Sequence, residues 1–441
     1  MPDLASKRLS ILQINHTWLR DELRALGHRV LAVGLGNNEY DHCIGAIGLS
    51  WEEISARLPG DFDPDCIIYY DNSGTPWFTG IERIKAPIAF YSVDTHHHHA
   101  WHAFFSTLFD CTLVAQKDYL PFFAGSPREV RWFPLWSTRD LDTSVERTID
   151  VCFRGNLDPE FHPERLKFFT ELSQLIPIDY ARGDYGIDYP RSKIVVNQTV
   201  LGDLNFRVFE ALTSGALLVT PATSNGLSDL FQDGVHLVTY ERDNPKDAAL
   251  KIAYYLDHPA EREAIAARGH GEALRHHSNR ARAQQLVEIL SALESRQNPM
   301  VHLSAARSYL TTAAMLRRFG GEVGLPFLLE AMNNLRASAI AHEGCDGDFV
   351  AAVVLCRFCL EEIGLLDQSD ELLAVVRSHY PDDLILSLTF TERLLAQGDI
   401  AGAHELATQI SQSPQEILDS ASRLLHDVKE RIKVELGRWE A

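Results

Sequence analysis

The segment NFRVFEALTSGALLVT, residues 205–220, combines a cation and a carboxylate with an otherwise apolar helical pattern. Asn205, or alternatively Asp203, is a suitable N-cap, so free backbone N–H groups and the positive end of the helix dipole are expected at the helix start. Arg207 stands in the first turn, where a cation is unfavourable unless an anion also binds there. Glu210 follows on nearly the same face, where its carboxylate could accept hydrogen bonds from two neighbouring hydroxyls, as in a ribose. The pattern predicts a phosphate at Arg207, and the alternative is an exposed Arg207–Glu210 ion pair.

A second polar group follows the strand-like run IDVCF, where that strand ends. Arg154, Gly155 and Asn156 place a guanidinium, a residue without a side chain and an amide in one short loop. Ligands of doubly wound sheets bind beyond the carboxyl ends of the strands. An arginine there offers several donors to a phosphate. The loop alone is a weak signal, and together with the start of the Arg207 helix it predicts a bound phosphate.

The histidine run DTHHHHAWH, residues 94–102, follows the strand-like run PIAFYSV. We expect its five histidines to face a cleft between two domains. Asp94 is a candidate general base, because a carboxylate in a cleft can take the proton of an acceptor hydroxyl. His96 is a candidate hydrogen-bonding partner, and His16, at the end of the first strand, is a second candidate base. A zinc site at His98 and His102 and a merely polar cleft wall are the alternatives; we expect no metal.

Short β-rich runs alternate with helix-length segments over the first ~290 residues, a rhythm typical of βαβ units and parallel sheets. The first helix is expected over residues 16–28, and the polar segment STRDLDTSVERT reads as a linker. The predicted fold class is α/β, with one Rossmann-like domain over residues 1–137 and a second over residues 138–295. Residues 300–441 have only helical patterns and are predicted to form an all-α domain.

The helical part contains an internal repeat. LEEIGLLDQSDELLAVV (360–376) and LLAQGDIAGAHELATQI (394–410) align at an offset of 34 residues. Gly364 then falls on Gly398, and Pro381 and Pro414 close the two units one residue out of register. That period resembles tetratricopeptide repeats, which would imply a surface for docking a protein. A generic helical bundle is the alternative.

Composition excludes several classes of function. The 441-residue chain carries 61 acidic and 41 basic residues, a net charge of −20, which disfavours binding to nucleic acid or anionic lipid. No apolar run approaches the ~18 residues of a membrane span, and no signal peptide is recognisable, so we expect a cytoplasmic protein. The lone C-x-x-C at Cys356 and Cys359 lies in a helical pattern without a second pair, which disfavours a zinc or redox site.

A family resemblance appears in the second half of the α/β region. SKIVVNQ (192–198), LNFRVFEALTSGALLVTPATSNGLSDLFQDGVHLVTY (204–240) and KIAYYLDHPAEREAIAARGH (251–270) occur in an order that resembles the donor-binding half of a GT-B glycosyltransferase of the CgeB-type branch. The resemblance implies that Arg154, Asn205 and Arg207 meet the diphosphate of a nucleotide sugar. It also implies that Glu210 meets the ribose and that Gly226, at a helix start, helps to close the pocket.

One departure from the family pattern concerns a carboxylate. The wider group carries two glutamates separated by seven residues, and counting back from Glu210 gives Gly202, with Asp203 beside it. The first carboxylate is therefore absent or displaced, which leaves open whether the configuration of the sugar is retained or inverted.

These observations predict a metal-independent glycosyltransferase that uses a UDP-, GDP- or dTDP-sugar as substrate and needs no cofactor. The expected partners are the nucleotide sugar, a protein or surface-structure acceptor docked by the helices, and a second copy of the chain. The alternatives are a nucleotide-sugar epimerase or hydrolase of the same fold, and a non-catalytic nucleotide-sugar-binding protein.

Overall fold

The first α/β domain is built on a seven-stranded parallel sheet in the order β3-β2-β1-β5-β7-β8-β9. A computed structural model describes residues 8–36, 39–295, 301–317 and 321–410. Apolar runs such as Cys66–Tyr70 are buried along their whole length, as expected for strands covered on both faces. The strands of this sheet are β1 (Ser10–Ile14), β2 (Arg29–Gly34), β3 (His42–Cys43), β5 (Cys66–Tyr70), β7 (Ile88–Ser92), β8 (Cys111–Val114) and β9 (Glu129–Trp132).

Short elements complete this domain. A small parallel pair is formed by β4 (Leu49–Ser50) and β6 (Phe78–Thr79). The helices are α1 (Arg20–Ala25), α2 (Trp51–Ser55) and α3 (Thr95–Phe105), with 3₁₀ turns at Ile81–Arg83, Ser106–Leu108 and Lys117–Phe123. Helix α1 is shorter than the predicted 16–28, because Leu19 has a left-handed backbone with φ 61°. His16 therefore lies in the loop beyond β1 and not on a helix.

The second domain has a five-stranded parallel sheet in the order β11-β10-β12-β13-β14. Its strands are β10 (Ile149–Arg154), β11 (Asp179–Ala181), β12 (Ser192–Val196), β13 (Leu217–Pro221) and β14 (Val238–Tyr240). Its helices are α4 (Pro163–Leu175), α5 (Tyr185–Asp188), α6 (Phe206–Thr213), α7 (Leu227–Leu230), α8 (Pro245–Asp257), α9 (Pro259–His276) and α10 (Asn279–Ser291). The two parallel sheets confirm the predicted pair of Rossmann-like domains.

Beyond residue 300, the described ranges 301–317 and 321–410 contain only helices, which confirms the all-α part of the predicted fold class. They are α11 (His302–Leu316), α12 (Gly321–Ala341), α13 (Gly347–Glu362), α14 (Leu366–His379), α15 (Leu384–Ala396) and α16 (Ile400–Ile410). No helix in the ranges that the structure describes is long and apolar enough to span a bilayer.

The turns of the two proposed repeat units are equivalent. Gly364 and Gly398 have φ angles of 82° and 81°, and the residue after each glycine donates its N–H to the carbonyl five residues earlier. This is the hydrogen-bond pattern of a glycine helix terminus. The assignment to tetratricopeptide repeats stays a prediction, and Pro414 lies outside the described residues.

The helical region shares a hydrophobic core with the first domain. Residues of α11 to α15 belong to the same cluster of buried side chains as Leu12, Ile67 and Phe90 of the first sheet. At the centre of this contact, the Tyr309 hydroxyl accepts hydrogen bonds from the backbone N–H groups of Gly80 (2.8 Å) and Ile81 (3.0 Å). The described helices are therefore packed into the first domain.

The two α/β domains meet through a second shared core. Helix α10 of the second domain places Leu286 and Leu290 in one buried cluster with Leu23 of α1. Beside it, the side chain of Gln116 accepts hydrogen bonds from the backbone N–H of Leu204 at 2.9 Å and from the Asn225 amide. These contacts bring the carboxyl end of the first sheet against the start of α6.

Candidate active site

Arg207 is held at the carboxyl edge of the second sheet by neutral partners. Its Nε donates to the main-chain oxygen of Arg154 (2.9 Å), and its Nη1 donates to Oδ1 of Asn197 (2.9 Å). The guanidinium lies 4.5 Å from the centre of the Phe153 ring, a cation–π contact. In the described part of the chain, no carboxylate forms an ion pair with Arg207. A half-buried, fixed cation of this kind is suited to binding an anion.

Gly155 makes room for this guanidinium. A Cβ atom at position 155 would lie 2.4 Å from Nη2 of Arg207 and 2.7 Å from the Phe153 ring. Both distances are far shorter than van der Waals contact, so a side chain at 155 would displace Arg207. The glycine thus leaves room for Arg207, and the approach of its backbone to a phosphate stays a prediction.

Arg165 is a second cation of the site, and we did not predict it from the sequence. It extends from α4, is 9% exposed, and donates from Nη1 to the main-chain oxygen of Asn156 (3.1 Å). Its buried Nε has no hydrogen-bond partner among the described residues. Burial, and then the charge of Arg207, lower the pKa of Arg165 to about 10. Two guanidiniums that repel each other in a buried place favour an anion between them.

The Asn205 amide and His162 add to this group. Both polar atoms of the Asn205 side chain, Oδ1 and Nδ2, are buried without a partner in the described structure. Asn205 is the N-cap of α6, with extended backbone angles, and its side chain accepts no capping hydrogen bond from the first turn. Burial and the charge of Arg165 lower the pKa of His162. Neutral donors and two cations thus gather at one helix end.

The Arg154 side chain has other partners. Its Nη2 donates to Asp179 (2.7 Å) and its Nε to Asp188 (2.5 Å), both in the second domain. Burial alone would lower the pKa of Arg154, but the two carboxylates raise it above its usual value. Only the main-chain oxygen of Arg154 contacts Arg207. The diphosphate role predicted for the Arg154 side chain stays a prediction, and this pairing does not favour it.

Glu210 is a half-buried carboxyl group and forms no ion pair among the described residues. Burial raises its pKa to about 7, although Arg207 and a hydrogen bond from Tyr185 act to lower it. The Tyr185 hydroxyl also lies 2.7 Å from Oγ1 of Thr138, which belongs to the linker between the domains. A carboxyl group kept in this polar, enclosed place can accept from hydroxyls of a ligand, the role that the resemblance implied.

An aromatic contact joins the two domains at the site. His16 stacks on Trp18 with ring centres 3.7 Å apart, and Trp18 lies 5.4 Å from the ring of Phe206, the first residue of α6. His16 is therefore brought to the start of the helix that carries Arg207. Burial lowers the pKa of His16 to about 4, so its imidazole is neutral at pH 7.

Asp94 is fixed by a buried carboxylate that we did not predict. Asp71 follows β5 and accepts hydrogen bonds from the N–H groups of Ser73 (2.8 Å), Val93 (3.2 Å) and Asp94 (2.9 Å). Burial raises the pKa of Asp71 to about 7. The Ser73 hydroxyl donates to the Asp94 carboxylate. The same rule that selected Asp94, a carboxylate at a strand end, would have selected Asp71.

The histidine run is divided between the cleft and the core. His97 is exposed and lies close enough to His162 for their charges to interact across the cleft. His96 is buried, its Nδ1 has no partner among the described residues, and burial lowers its pKa to about 4. His102 is wholly buried, with Nδ1 2.8 Å from the Ser92 hydroxyl. The expectation that all five histidines face the cleft is thus wrong for His102, because the turn of helix α3 places that side chain in the core.

The described residues contain no group of three or more histidine, cysteine, aspartate or glutamate side chains placed to hold a metal ion. The alternative zinc site at His98 and His102 consists of two rings with centres 5.5 Å apart. The cysteines in these ranges are free thiols.

Gly226 lies in the contact between the domains. Its φ of 85° is left-handed, and a Cβ atom there would lie 2.3 Å from the Trp132 ring of the first domain. This close packing sets the position of the following helix α7. Its predicted part in closing a ligand pocket stays a prediction.

Asp203 lies beside the position of the missing first glutamate and close to Arg165 and Arg207. Asp203 is buried and accepts the N–H of Val200 at 2.7 Å, while burial raises its pKa to about 6. Gly202 has a φ of 78°, and a Cβ atom there would lie 3.0 Å from Arg242. Neither residue presents an exposed carboxylate.

Part of this region is similar to known proteins. A family described as "Glycosyl transferase-like" matches residues 177–288. No curated protein matches the sequence. Similar solved structures include a glycosyltransferase from Rickettsia africae, with 10% identity, 65% of this chain and 98% of that chain covered, and a TM-score of 0.47. HepE of Anabaena in complex with UDP and glucose has 13% identity, with 65% of this chain and 100% of that chain covered and a TM-score of 0.48. A sucrose-phosphate synthase from Thermosynechococcus elongatus has 12% identity, with 64% of this chain and 98% of that chain covered and a TM-score of 0.46.

Proposed function

We propose that this protein is a glycosyltransferase that moves a sugar from a nucleoside-diphosphate donor to an acceptor hydroxyl. The observation that carries the proposal is the pair of guanidiniums of Arg165 and Arg207, which lie close together at the start of α6 and form no ion pair with a carboxylate among the described residues. The matched family, described as glycosyl transferase-like, covers Arg207 and Glu210 and agrees with this assignment.

The proposed reaction breaks the bond between the sugar carbon and the diphosphate oxygen, and the acceptor oxygen takes its place. The leaving diphosphate gains negative charge as that bond breaks. Arg207, Arg165 and the positive end of the α6 dipole would stabilise this charge, since fixed donors and cations act most strongly where charge develops. We propose that these groups replace a metal ion, so that transfer needs none.

Asp94 is the proposed base for the acceptor proton. Its carboxylate is held by Ser73 and its backbone N–H by Asp71, so that it has one orientation. His16 and His96 are neutral at pH 7, because burial lowers the pKa of each to about 4. We assign them hydrogen bonds to the sugars rather than the removal of a proton.

Binding of nucleotides tests the proposal first. Each of UDP, GDP, dTDP and CDP is added to the full chain, and the melting temperature is compared with that in the matching nucleoside. A ligand at 100 times its Kd should stabilise the native state by about 2.7 kcal/mol. Stabilisation by one diphosphate, and its loss in Arg207→Met, is the expected result. If no diphosphate shifts the melting temperature of the wild type, the proposal is wrong.

Turnover separates the proposed transferase from the two alternatives. Radiolabelled nucleotide sugars of the best-binding base are incubated with the protein and with candidate acceptors. Label transferred to an acceptor supports the transferase. Label released to water, or an altered sugar configuration, supports the hydrolase or epimerase, and binding without turnover supports the sensor.

A protein or surface-structure acceptor docked by the helical region is part of the proposal. The helices continue the surface of the domain that holds Asp94, since they share its core. Deleting them would expose that core, so substitutions on their exposed faces are the sharper test. The cytoplasmic location and the homo-oligomer stay predictions.

A further inference from the structure

A basic pocket lies at the edge of the second sheet opposite to the candidate active site. Arg147 precedes β10, Lys193 is near the start of β12, and Gly215 precedes β13. All strands of this sheet are parallel, so these are their amino ends, whereas Arg154 and α6 lie beyond the carboxyl ends. The residues that line the pocket include Thr143, Arg147, Lys193, Gly215, Arg262 and His270.

The positive charge of this pocket is only partly neutralised. Arg147 donates to the main-chain oxygens of Pro190 and Ser214, each at 3.2 Å, and no carboxylate in the described ranges pairs with it. Arg262 is 7% exposed and pairs at 3.3 Å with Glu263, whose side chain is 72% exposed. Burial, and then the charge of Arg262, lower the pKa of Arg147. The two guanidiniums repel each other, and a bound anion would relieve that repulsion.

Lys193 and Gly215 also line the pocket. The Lys193 ammonium is paired at 2.6 Å with Asp150, but both side chains are partly exposed, so water and salt weaken the pair. Gly215 has a φ of 71°, and a Cβ atom there would lie 2.9 Å from Nη2 of Arg147. The glycine thus lets the guanidinium lie along the wall of the pocket. Such a cation cluster contrasts with the net charge of −20 of the whole chain.

We propose that this pocket binds a phosphate group, either free inorganic phosphate or the phosphate of a small monoester. Guanidiniums from two sides, an ammonium and the Thr143 hydroxyl suit a tetrahedral anion with several acceptor oxygens better than a planar carboxylate. The site is separate from the proposed diphosphate site, because the length of β12 lies between them.

Phosphate bound in this pocket would contact the linker between the two domains. Thr143 and Arg147 belong to the linker that leads from the first domain into β10. A phosphate that bridges them to Lys193 and to Arg262 of α9 fixes this linker on the second sheet. Hydrogen exchange of the linker amides should therefore slow when phosphate is bound.

Calorimetric titration of the full chain with inorganic phosphate, and separately with glycerol 3-phosphate, tests the proposal. Lys193→Met should weaken binding roughly five-fold, and Glu263→Gln, which removes a negative charge from the pocket lining, should tighten it roughly as much. The matched control is Arg275→Met in α9, the helix that also carries Glu263. It removes an exposed cation paired with Glu272 and should leave the affinity for both probes unchanged. Tighter binding of the ester than of phosphate identifies a monoester as the ligand, and the reverse identifies the free ion.

Three results would overturn the proposal. The first is the absence of saturable binding of either probe to the wild type. The second is equal affinity in Lys193→Met, Glu263→Gln and the control. The third is binding that depends on Arg207 instead, which would place the phosphate in the proposed active site. None of these results depends on whether the protein transfers a sugar, so the two proposals can fail separately.

Discussion

Replacing Gly155 with alanine tests which arginine binds the diphosphate. The new Cβ would lie 2.4 Å from Nη2 of Arg207 and 2.7 Å from the Phe153 ring. Phe153 is fully buried, with its ring centre 4.0 Å from that of Phe169, so it has little room to move. We expect the Arg207 guanidinium to be displaced and its hydrogen bond to Asn197 to be lost.

The expected loss of affinity follows from one charged contact. A hydrogen bond to a charged group contributes about 1.5–3 kcal/mol. Displacing Arg207 should therefore raise the Kd for the best-binding nucleoside diphosphate roughly 10- to 100-fold. Overpacking should also lower the free energy of unfolding by about 1–3 kcal/mol. Calorimetric titration gives the Kd, and urea denaturation shows whether the variant is folded under the conditions used.

Gly183→Ala is a matched control. Its Cβ would lie 2.7 Å from Cδ and 2.8 Å from Nε of Arg154, so it displaces that side chain from Asp188 without contacting Arg207. The Kd should stay within about two-fold of the wild type, a difference of ~0.4 kcal/mol. A larger loss in Gly183→Ala than in Gly155→Ala, with both variants folded, would refute the assignment of Arg207 and restore that of Arg154.

Two further predictions concern stability. Tyr309→Phe removes the acceptor of two buried N–H groups, those of Gly80 and Ile81, and the donor to Glu82; it should lower the free energy of unfolding by about 1–3 kcal/mol in urea denaturation. An unchanged value would contradict the packing of the helices on the first domain. Burial raises the pKa of Glu210 in the native state to about 7. The protonated side chain therefore favours the native state at low pH, and this contribution to the free energy of unfolding is lost as the pH rises through 7. From pH 5 to 8, wild type should lose about 2–3 kcal/mol relative to Glu210→Gln, and parallel pH curves would contradict this.

The backbone architecture was predictable from local patterns. Continuous apolar runs such as those of β5 and β12 indicate strands buried on both faces, and their alternation with helices indicates parallel sheets. The unusual position of Arg207 in a first helical turn was also visible, because the helix dipole makes a cation there unfavourable on local grounds. Among the described residues Arg207 forms no ion pair with a carboxylate, and its contact with a phosphate stays a prediction.

Side-chain partners distant in sequence were not predictable. Arg154 and Arg207 look equivalent in the sequence, yet Arg154 turns to Asp179 and Asp188, which only the fold brings near. Arg165 was missed because an arginine in a charged helix usually lies on its exposed face. The amphipathic pattern of the C-terminal helices gives their buried faces but not what covers them, so their packing on the first sheet could not be inferred.

The contact of Tyr309 with Gly80 joins residues 229 positions apart in the chain. During synthesis, the first domain would therefore leave the ribosome well before the helices that complete its core, whereas the second domain carries most of its core within residues 149–290. Domains usually fold as units in the order in which they emerge. In this chain we therefore expect the middle domain to fold first. The amino-terminal sheet would keep apolar surface exposed, and need a chaperone, until the helices that complete its core have been synthesised.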